Sequence, residues 1–555
     1  MVRFASVMIL SGMLAVTVTE APGQASQIYT REAIEAQRPE RLGTPTDQDA
    51  TIAVPEAPQT PVPEGGPQFQ LNGLTMEGSS VYDAARLDAL MADLIGKPID
   101  FAGLRAVTDR IERLYRTDGY LAVRAVIPAQ RIADGVVRVV IVEGKVSALE
   151  LRGDLGRSEP EVRRLLEKLV GQQPLQVSFA ERQLLLARDL PGISLLAALR
   201  PKPSDVPGEL VLLVEGALTP LDGFVSLSNF ASEFAGPYVF TAGGGVNSVL
   251  FAGDRLEAIA LTALDVGEEL LGQIAYEAPL GIDGMRFRIE GSNAVSETGA
   301  ELTPLDIDYR SQTLRASIGY DVIRSRSRTA TIGGGLEAIH QESNSLIPAI
   351  EIDEDLRVLF GEARLIENNV LGGRLDASTE LRFGLDILGA NSEGDPNLTG
   401  PIDTDPQFVS AQFDFDYLRP LPAGFAMRAR VQSQVSSGDL PTYERFSLGN
   451  YTIGRGFDPG ALAGDHGVGL SLTLSYALDL PQVPFVASPE AFGFFDTGRV
   501  WLDGENRGLS SVGLGARWQM FEQIDAEVFV AVPVDDSDVI DSDDVSGLFR
   551  VTTFF

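Results

Sequence analysis

Leu375-Asp376-Ala377-Ser378-Thr379-Glu380-Leu381-Arg382-Phe383-Gly384-Leu385-Asp386 alternates in character along most of its length. Leu375, Ala377, Leu381, Phe383 and Leu385 share one face of an extended chain, and Asp376, Ser378, Glu380, Arg382 and Asp386 share the other. Period two predicts a β-strand with one apolar and one polar face. The pattern recurs across residues 217–555. Leu314, Ala316, Ile318, Tyr320 and Val322 oppose Thr313, Arg315, Ser317 and Asp321; Phe413, Phe415 and Tyr417 oppose Gln412, Asp414 and Asp416; Val512, Leu514, Ala516 and Trp518 oppose Ser511, Arg517 and Gln519. Connections are either tight, as at 279–284 and 421–424, or long and acidic, as at 393–406 and 535–544. Short turns at one end, long loops at the other, and apolar-out, polar-in strands predict an outer-membrane barrel. A soluble sandwich also alternates, but turns its apolar faces into a core. The chain ends Phe549-Arg550-Val551-Thr552-Thr553-Phe554-Phe555, a strand finishing on an aromatic suited to an interfacial girdle.

Composition narrows the function classes. With 555 residues, two or more domains are expected. The absence of cysteine removes disulfides, thiolate metal sites and cysteine nucleophiles. His340 and His466 are the only histidines and lie far apart in sequence, so a multi-histidine metal site is excluded, a histidine-based triad stays open with little support, and no metal or cofactor is expected. A net charge of −34 argues against nucleic acid as the main partner, because phosphate binding needs a basic footprint. Arg3, the apolar run 4–18 and Gly23-Gln24-Ala25 read as a signal peptide over 1–25, cleaved before Ser26. No later run of 18 or more apolar residues follows, so a closed barrel is the way this chain can span a membrane.

Between the signal and the barrel the organisation changes three times. Residues 26–42 suggest a short charged helix, and 43–67, with six prolines, an extended semi-rigid linker. Residues 68–145 read as a strand, helices over 81–95 and 101–116 and strands over 123–127 and 136–142. Residues 146–216 repeat the plan with a strand at 148–151, helices over 159–170 and 179–190 and strands over 195–199 and 209–214. Val140-Ile141-Val142-Glu143-Gly144 is echoed by Leu212-Leu213-Val214-Glu215-Gly216, marking a tandem repeat. Gly243-Gly244-Gly245 and Gly333-Gly334-Gly335 lie within strand-like segments and open no helix, so they are not nucleotide loops; sheet curvature is their expected use.

One loop stands apart. Ser447-Leu448-Gly449-Asn450-Tyr451-Thr452-Ile453-Gly454-Arg455-Gly456-Phe457 carries a single arginine among glycines, between two alternating segments. With Phe494-Phe495-Asp496-Thr497-Gly498-Arg499-Val500-Trp501, Ile323-Arg324-Ser325-Arg326-Ser327-Arg328 and the tandem units, it makes the chain resemble the outer-membrane transporters of two-partner secretion. These are the haemolysin and filamentous-haemagglutinin exporters, with two POTRA domains before the barrel. The resemblance covers nearly the whole mature chain.

The resemblance implies a mainly β protein: a barrel of about 16 strands over 217–555, POTRA domains over 68–145 and 146–216, and 26–42 as a lumen plug. It implies that the loop Gly454, Arg455, Gly456, Phe457 folds inward and that Arg455 pairs with Asp496 on a wall segment containing Phe494 and Gly498. Gly454 stands where the family carries valine or serine, which is expected to loosen the loop tip. The implied partner is an unfolded, β-prone exoprotein, captured by strand addition at a POTRA edge; the first unit's edge strand and groove, near Val123 and Val126, is the expected region. Membrane lipid and lipopolysaccharide are the other expected partners, and no nucleotide is. A barrel-assembly role and a passive pore or receptor are the rival readings, and an enzyme is a third, disfavoured one.

Overall fold

The computed structural model describes residues 52–53, 68–203, 206–231, 236–264, 269–297, 308–346, 349–392, 404–449, 452–479, 486–521, 523–535 and 545–555. The expected signal peptide, the helix at 26–42, most of the linker at 43–67 and most of both acidic loops lie outside these residues.

Sixteen strands form a closed antiparallel barrel. They are β1 Leu221–Ser228, β2 Val239–Asn247, β3 Arg255–Ala263, β4 Glu269–Pro279, β5 Met285–Glu297, β6 Asp308–Arg324, β7 Arg328–Leu346 and β8 Ala349–Val370. They continue with β9 Gly373–Gly384, β10 Val409–Pro420, β11 Phe425–Ser436, β12 His466–Ala477, β13 Val486–Leu502, β14 Glu505–Met520, β15 Ile524–Asp535 and β16 Ser546–Phe554. Neighbours in sequence pair throughout, and β16 closes on β1 from Phe224↔Phe554 to Ser228↔Arg550. Closure leaves no strand edge facing lipid.

The burial pattern is inverted relative to a soluble protein. Leu336 is 50 % exposed while its chain neighbour Glu337 is 4 % exposed, because the apolar face looks outward to lipid. Leu314, Ile318, Val322, Ile332 and Leu359 are exposed in the same way. The glycine triplets fall inside β2 and β7, and a Cβ at Gly335 would collide with the Ala316 carbonyl.

The two N-terminal units share one topology. In the first, 73–77 runs parallel to 136–143, which pairs antiparallel with 123–126, under helices α1 Ala84–Met91 and α2 Phe101–Thr117. The helix expected over 81–95 is shorter because the Asp83 side chain accepts from the Arg86 amide, setting the start at Ala84. In the second, 145–154 runs parallel to 209–218, which pairs antiparallel with 193–201, under α3 Glu159–Leu166 and α4 Val177–Arg188. Ile52 and Ala53 add a parallel rung outside Ala197 and Ala198. The Glu143-Gly144 phrase has a packing reason. Glu143 is buried and accepts from the Tyr115 hydroxyl at 2.7 Å, and a Cβ at Gly144 would stand 2.6 Å from the Ala122 carbonyl oxygen.

The second unit grips the inner turns of the barrel. The arginine–serine phrase makes the β6–β7 turn, where Arg324 donates twice to Asp189 at 2.7 Å and the Arg326 amide donates to Glu181 at 2.6 Å. At the β4–β5 turn, Asp283 accepts from Arg164 at 2.9 Å and Lys168 at 2.5 Å. Burial alone would raise the Asp283 carboxyl, but the bonds from Lys168 and Arg164 outweigh it and hold the group below its ordinary value.

Candidate functional site

The connection from β11 to β12 leaves the barrel's outer end, and its glycine-rich part packs against the inner wall. A short hairpin pairs 446–448 with 462–464 and rests on β13. Glycines on the wall make this approach feasible: a Cβ at Gly498 would meet Leu448 at 2.5 Å, and one at Gly469 would meet Ile453 and Leu448 at 3.0 Å. Leu448, Ile453, Phe457 and Leu462 are buried with Val500 and Leu509, so the hairpin carries its own apolar core inside the lumen.

At the tip, Arg455 Nε donates to Asp496 Oδ2 at 2.9 Å and Nη2 donates to Oδ1 at 2.8 Å. The amides of Gly454 and Arg455 also donate to Asp496 Oδ2, at 3.2 and 3.1 Å. Arg455 Nη2 reaches Ser471 Oγ at 3.0 Å, and its guanidinium lies 3.6 Å from the centre of the Phe494 ring. Asp496 has no exposed surface and Arg455 is 8 % exposed. Four donors on one carboxylate, a bidentate guanidinium and a cation–π contact satisfy both charges without water. Arg455, Asp496 and Phe494 thus meet at one place, with Phe457 in the adjoining cluster and Gly498 against Leu448 of the same cluster.

Gly454 does not loosen the tip. It sits at φ +90°, where a β-branched residue is strained, and a Cβ would stand 2.9 Å from Leu509 Cδ1 and 3.0 Å from the Gly449 amide nitrogen. The left-handed conformation turns its amide toward Asp496, so glycine tightens the contact. Gly456, at φ +102°, packs a backbone face against Ala531.

A second anchor is not anticipated by the loop's own sequence. Glu444, in the 3-10 turn Thr442–Glu444, accepts from Arg382 on β9 at 2.6 and 2.7 Å. Arg382 also donates to Glu337 at 2.9 Å and Glu380 at 2.7 Å, and Arg315 donates to the same two glutamates at 3.0 and 2.9 Å. Arg315 covers the Phe360 ring at 3.3 Å. The signal available in sequence is the inward parity of Arg315, Glu337, Glu380 and Arg382; nothing in it points to Glu444.

The expected capture strand, 123–126, is an edge of its sheet and pairs only with 136–143 among the described residues. Val123 is buried under α2, whereas Val126 is 47 % exposed. These residues lie in the periplasmic unit, away from the latch.

The family profile described as haemolysin secretion/activation protein ShlB/FhaC/HecB matches residues 210–518, and the POTRA domain, ShlB-type, matches 69–144. The heme/hemopexin transporter protein HuxB of Haemophilus influenzae (strain 86-028NP) is 24 % identical over 472 residues, covering 81 % of this chain and 80 % of its own. The outer membrane transporter CdiB of Escherichia coli is 22 % identical over 506 residues, covering 88 % and 82 %. The solved structure of CdiB from Escherichia coli shares the fold with a TM-score of 0.72 at 19 % identity, over 96 % of this chain and 99 % of that one. With that profile spanning more than half its length, the chain belongs to the haemolysin secretion/activation protein family ShlB/FhaC/HecB, as an outer-membrane transporter of two-partner secretion with its POTRA units in the periplasm.

Proposed function

We propose that this chain carries an unfolded, β-prone exoprotein outward through its lumen, and that the Arg455–Asp496 latch holds the inward loop in the shape the passage requires. The observation that carries the reading is a charged pair buried inside a barrel whose strands are already closed by their own ladder. Barrel closure has no need of it, so its work is to position the loop. Capture is assigned to the sheet edge at 123–126, where backbone pairing recognises extended chain with little sequence demand, an incoming strand taking the Ala125 amide from Glu112 Oε1, to which it donates at 3.1 Å. No chemical conversion is part of the proposal. Folding of the cargo outside the cell supplies direction, and outer-leaflet lipid surrounds the apolar belt. Nucleic acid has no place as a partner of a chain with net charge −34.

The test pairs the chain with the exoprotein that disappears from the medium when its gene is deleted. Arg455→Ala should abolish secretion while the barrel stays inserted and resistant to unfolding in detergent. Normal secretion by that variant sinks the latch, and an unchanged set of secreted proteins after deletion sinks the translocator reading.

A further inference from the structure

Two histidines far apart in sequence offer no metal site, yet the β7–β8 hairpin brings one of them to two aspartates. Its register sets His340 opposite Asp355 and Glu342 opposite Asp353. All four side chains share the face of Leu336 and Leu359, which are 50 % and 44 % exposed, so they point away from the barrel. They follow directly above the lipid-facing run, at the level where Gln312 on β6 also replaces the apolar residues below it.

His340 Nδ1 lies 3.4 Å from Asp355 Oδ1 and 3.8 Å from Asp353 Oδ1, and one ligand atom from each of the three residues falls within 4.8 Å of the others. On the far side of the ring, Nε2 lies 3.2 Å from Glu342 Oε1. An ionised carboxylate only accepts, so Nε2 is the donor in that contact and Nδ1 is left to face the aspartates. Nδ1 is shielded from solvent, makes no hydrogen bond and faces one oxygen of each aspartate. Two carboxylates facing Nδ1 call for positive charge at that point, which a second ring proton or a bound cation supplies. Arg357 stays at the edge: it reaches Asp355 at 3.4 Å but directs its shortest bond, 2.8 Å, to the Leu356 carbonyl. Arg310 lies 3.9 Å from Glu342, on the outer side.

We infer that His340 Nδ1, Asp353 and Asp355 form a site for a borderline divalent cation of the zinc class at the outer rim of the barrel, with Glu342 as the positioning carboxylate. Ligands about 2.0–2.2 Å from tetrahedral zinc stand roughly 3.3–3.6 Å apart, against 3.4 and 3.8 Å from Nδ1 to the two aspartate oxygens. One imidazole and two carboxylates suit zinc better than calcium, which takes about 6–8 oxygens, or magnesium, which demands octahedral oxygen ligands. The Glu342–His340–cation arrangement is the usual way a carboxylate fixes the tautomer of a ligating histidine. Three protein ligands leave a fourth position open toward the headgroup layer. The cation would tie the outer ends of the two longest strands, of 19 and 22 residues, to each other.

The experiment uses full-length, tag-free protein in detergent, stripped with chelator and titrated with zinc alone. One zinc per chain is expected, with a histidine nitrogen in the zinc X-ray absorption spectrum and no competition from millimolar magnesium or calcium. His340→Gln and Asp355→Asn should each abolish that binding, whereas Glu342→Gln should weaken it by about 10- to 100-fold. Absence of stoichiometric binding overturns the proposal. So does a bound zinc without imidazole, or binding unchanged in the His340→Gln, Asp355→Asn double variant.

Discussion

Replacing Asp496 with Asn keeps the volume of the side chain and removes its charge from a position with no exposed surface. The amide presents an N–H₂ where the carboxylate accepted, so either an Arg455 donor or the two loop amides lose their acceptor. Removing one partner of a buried pair costs about 3–5 kcal/mol. The β12–β13 and β13–β14 ladders do not use this side chain, so the cost falls on loop docking rather than on barrel closure. At about 1.4 kcal/mol per decade, undocking should rise roughly 150- to 5,000-fold. The chain has no cysteine, so a single Leu462→Cys probe is read without background; Leu462 is 3 % exposed in the docked hairpin. Thiol labelling compared between Leu462→Cys alone and Leu462→Cys with Asp496→Asn measures the change directly. A rise below about tenfold, with the barrel intact, would refute the assignment of loop docking to this pair.

Gly454→Val should raise labelling of the same probe by about ten- to a hundredfold, from strain at φ +90° and the clash with Leu509. Arg382→Met leaves Glu444 without its cation, beside Glu337 and Glu380 that Arg315 still serves, and should free the outer half of the loop, at a cost of about 3–5 kcal/mol. Hydrogen exchange over 440–445 reads this, and protection unchanged from the parent would contradict it. The Asp283 contacts titrate. Because its carboxyl is held below the ordinary value when docked, the contribution is complete above the undocked pKa of about 3.9 and fades as pH falls through the lower, docked value. Proteolysis at the junction of the second unit and the barrel should therefore be flat from pH 7 to about pH 5 and increase below about pH 4. Asp283→Asn should shrink that pH step, leaving the share of the Asp189 and Glu181 contacts.

Alternation carried much of this molecule. Parity alone sets Asp496 and Phe494 on the same inner face, because a strand has only two sides and the lipid claims one of them. The β6–β7 turn was legible as a phrase, but its partners were not: Asp189 and Glu181 precede Arg324 and Arg326 by 135 and 145 residues, and no periodicity links a helix to a barrel turn. Glu444 was invisible for a related reason, since an irregular loop has no period from which to read a direction. Gly454 was misread because composition shows a missing side chain but not the sign of φ. His340 was weighed only against His466, and the hairpin register that sets Asp355 opposite it cannot be read from composition.

The rung that Ile52 and Ala53 add beside Ala197 and Ala198 makes the second unit's sheet a filter with a threshold. A segment joined covalently to the unit it covers competes as if it were present at about millimolar concentration. A foreign strand must bind more tightly than that to displace it, so weak encounters with passing periplasmic chains leave the rung at Ala197 and Ala198 in place. Deleting residues 52–53 should lower the bar, and a synthetic β-strand peptide that binds the second unit equally well with and without them would show that no such bar exists.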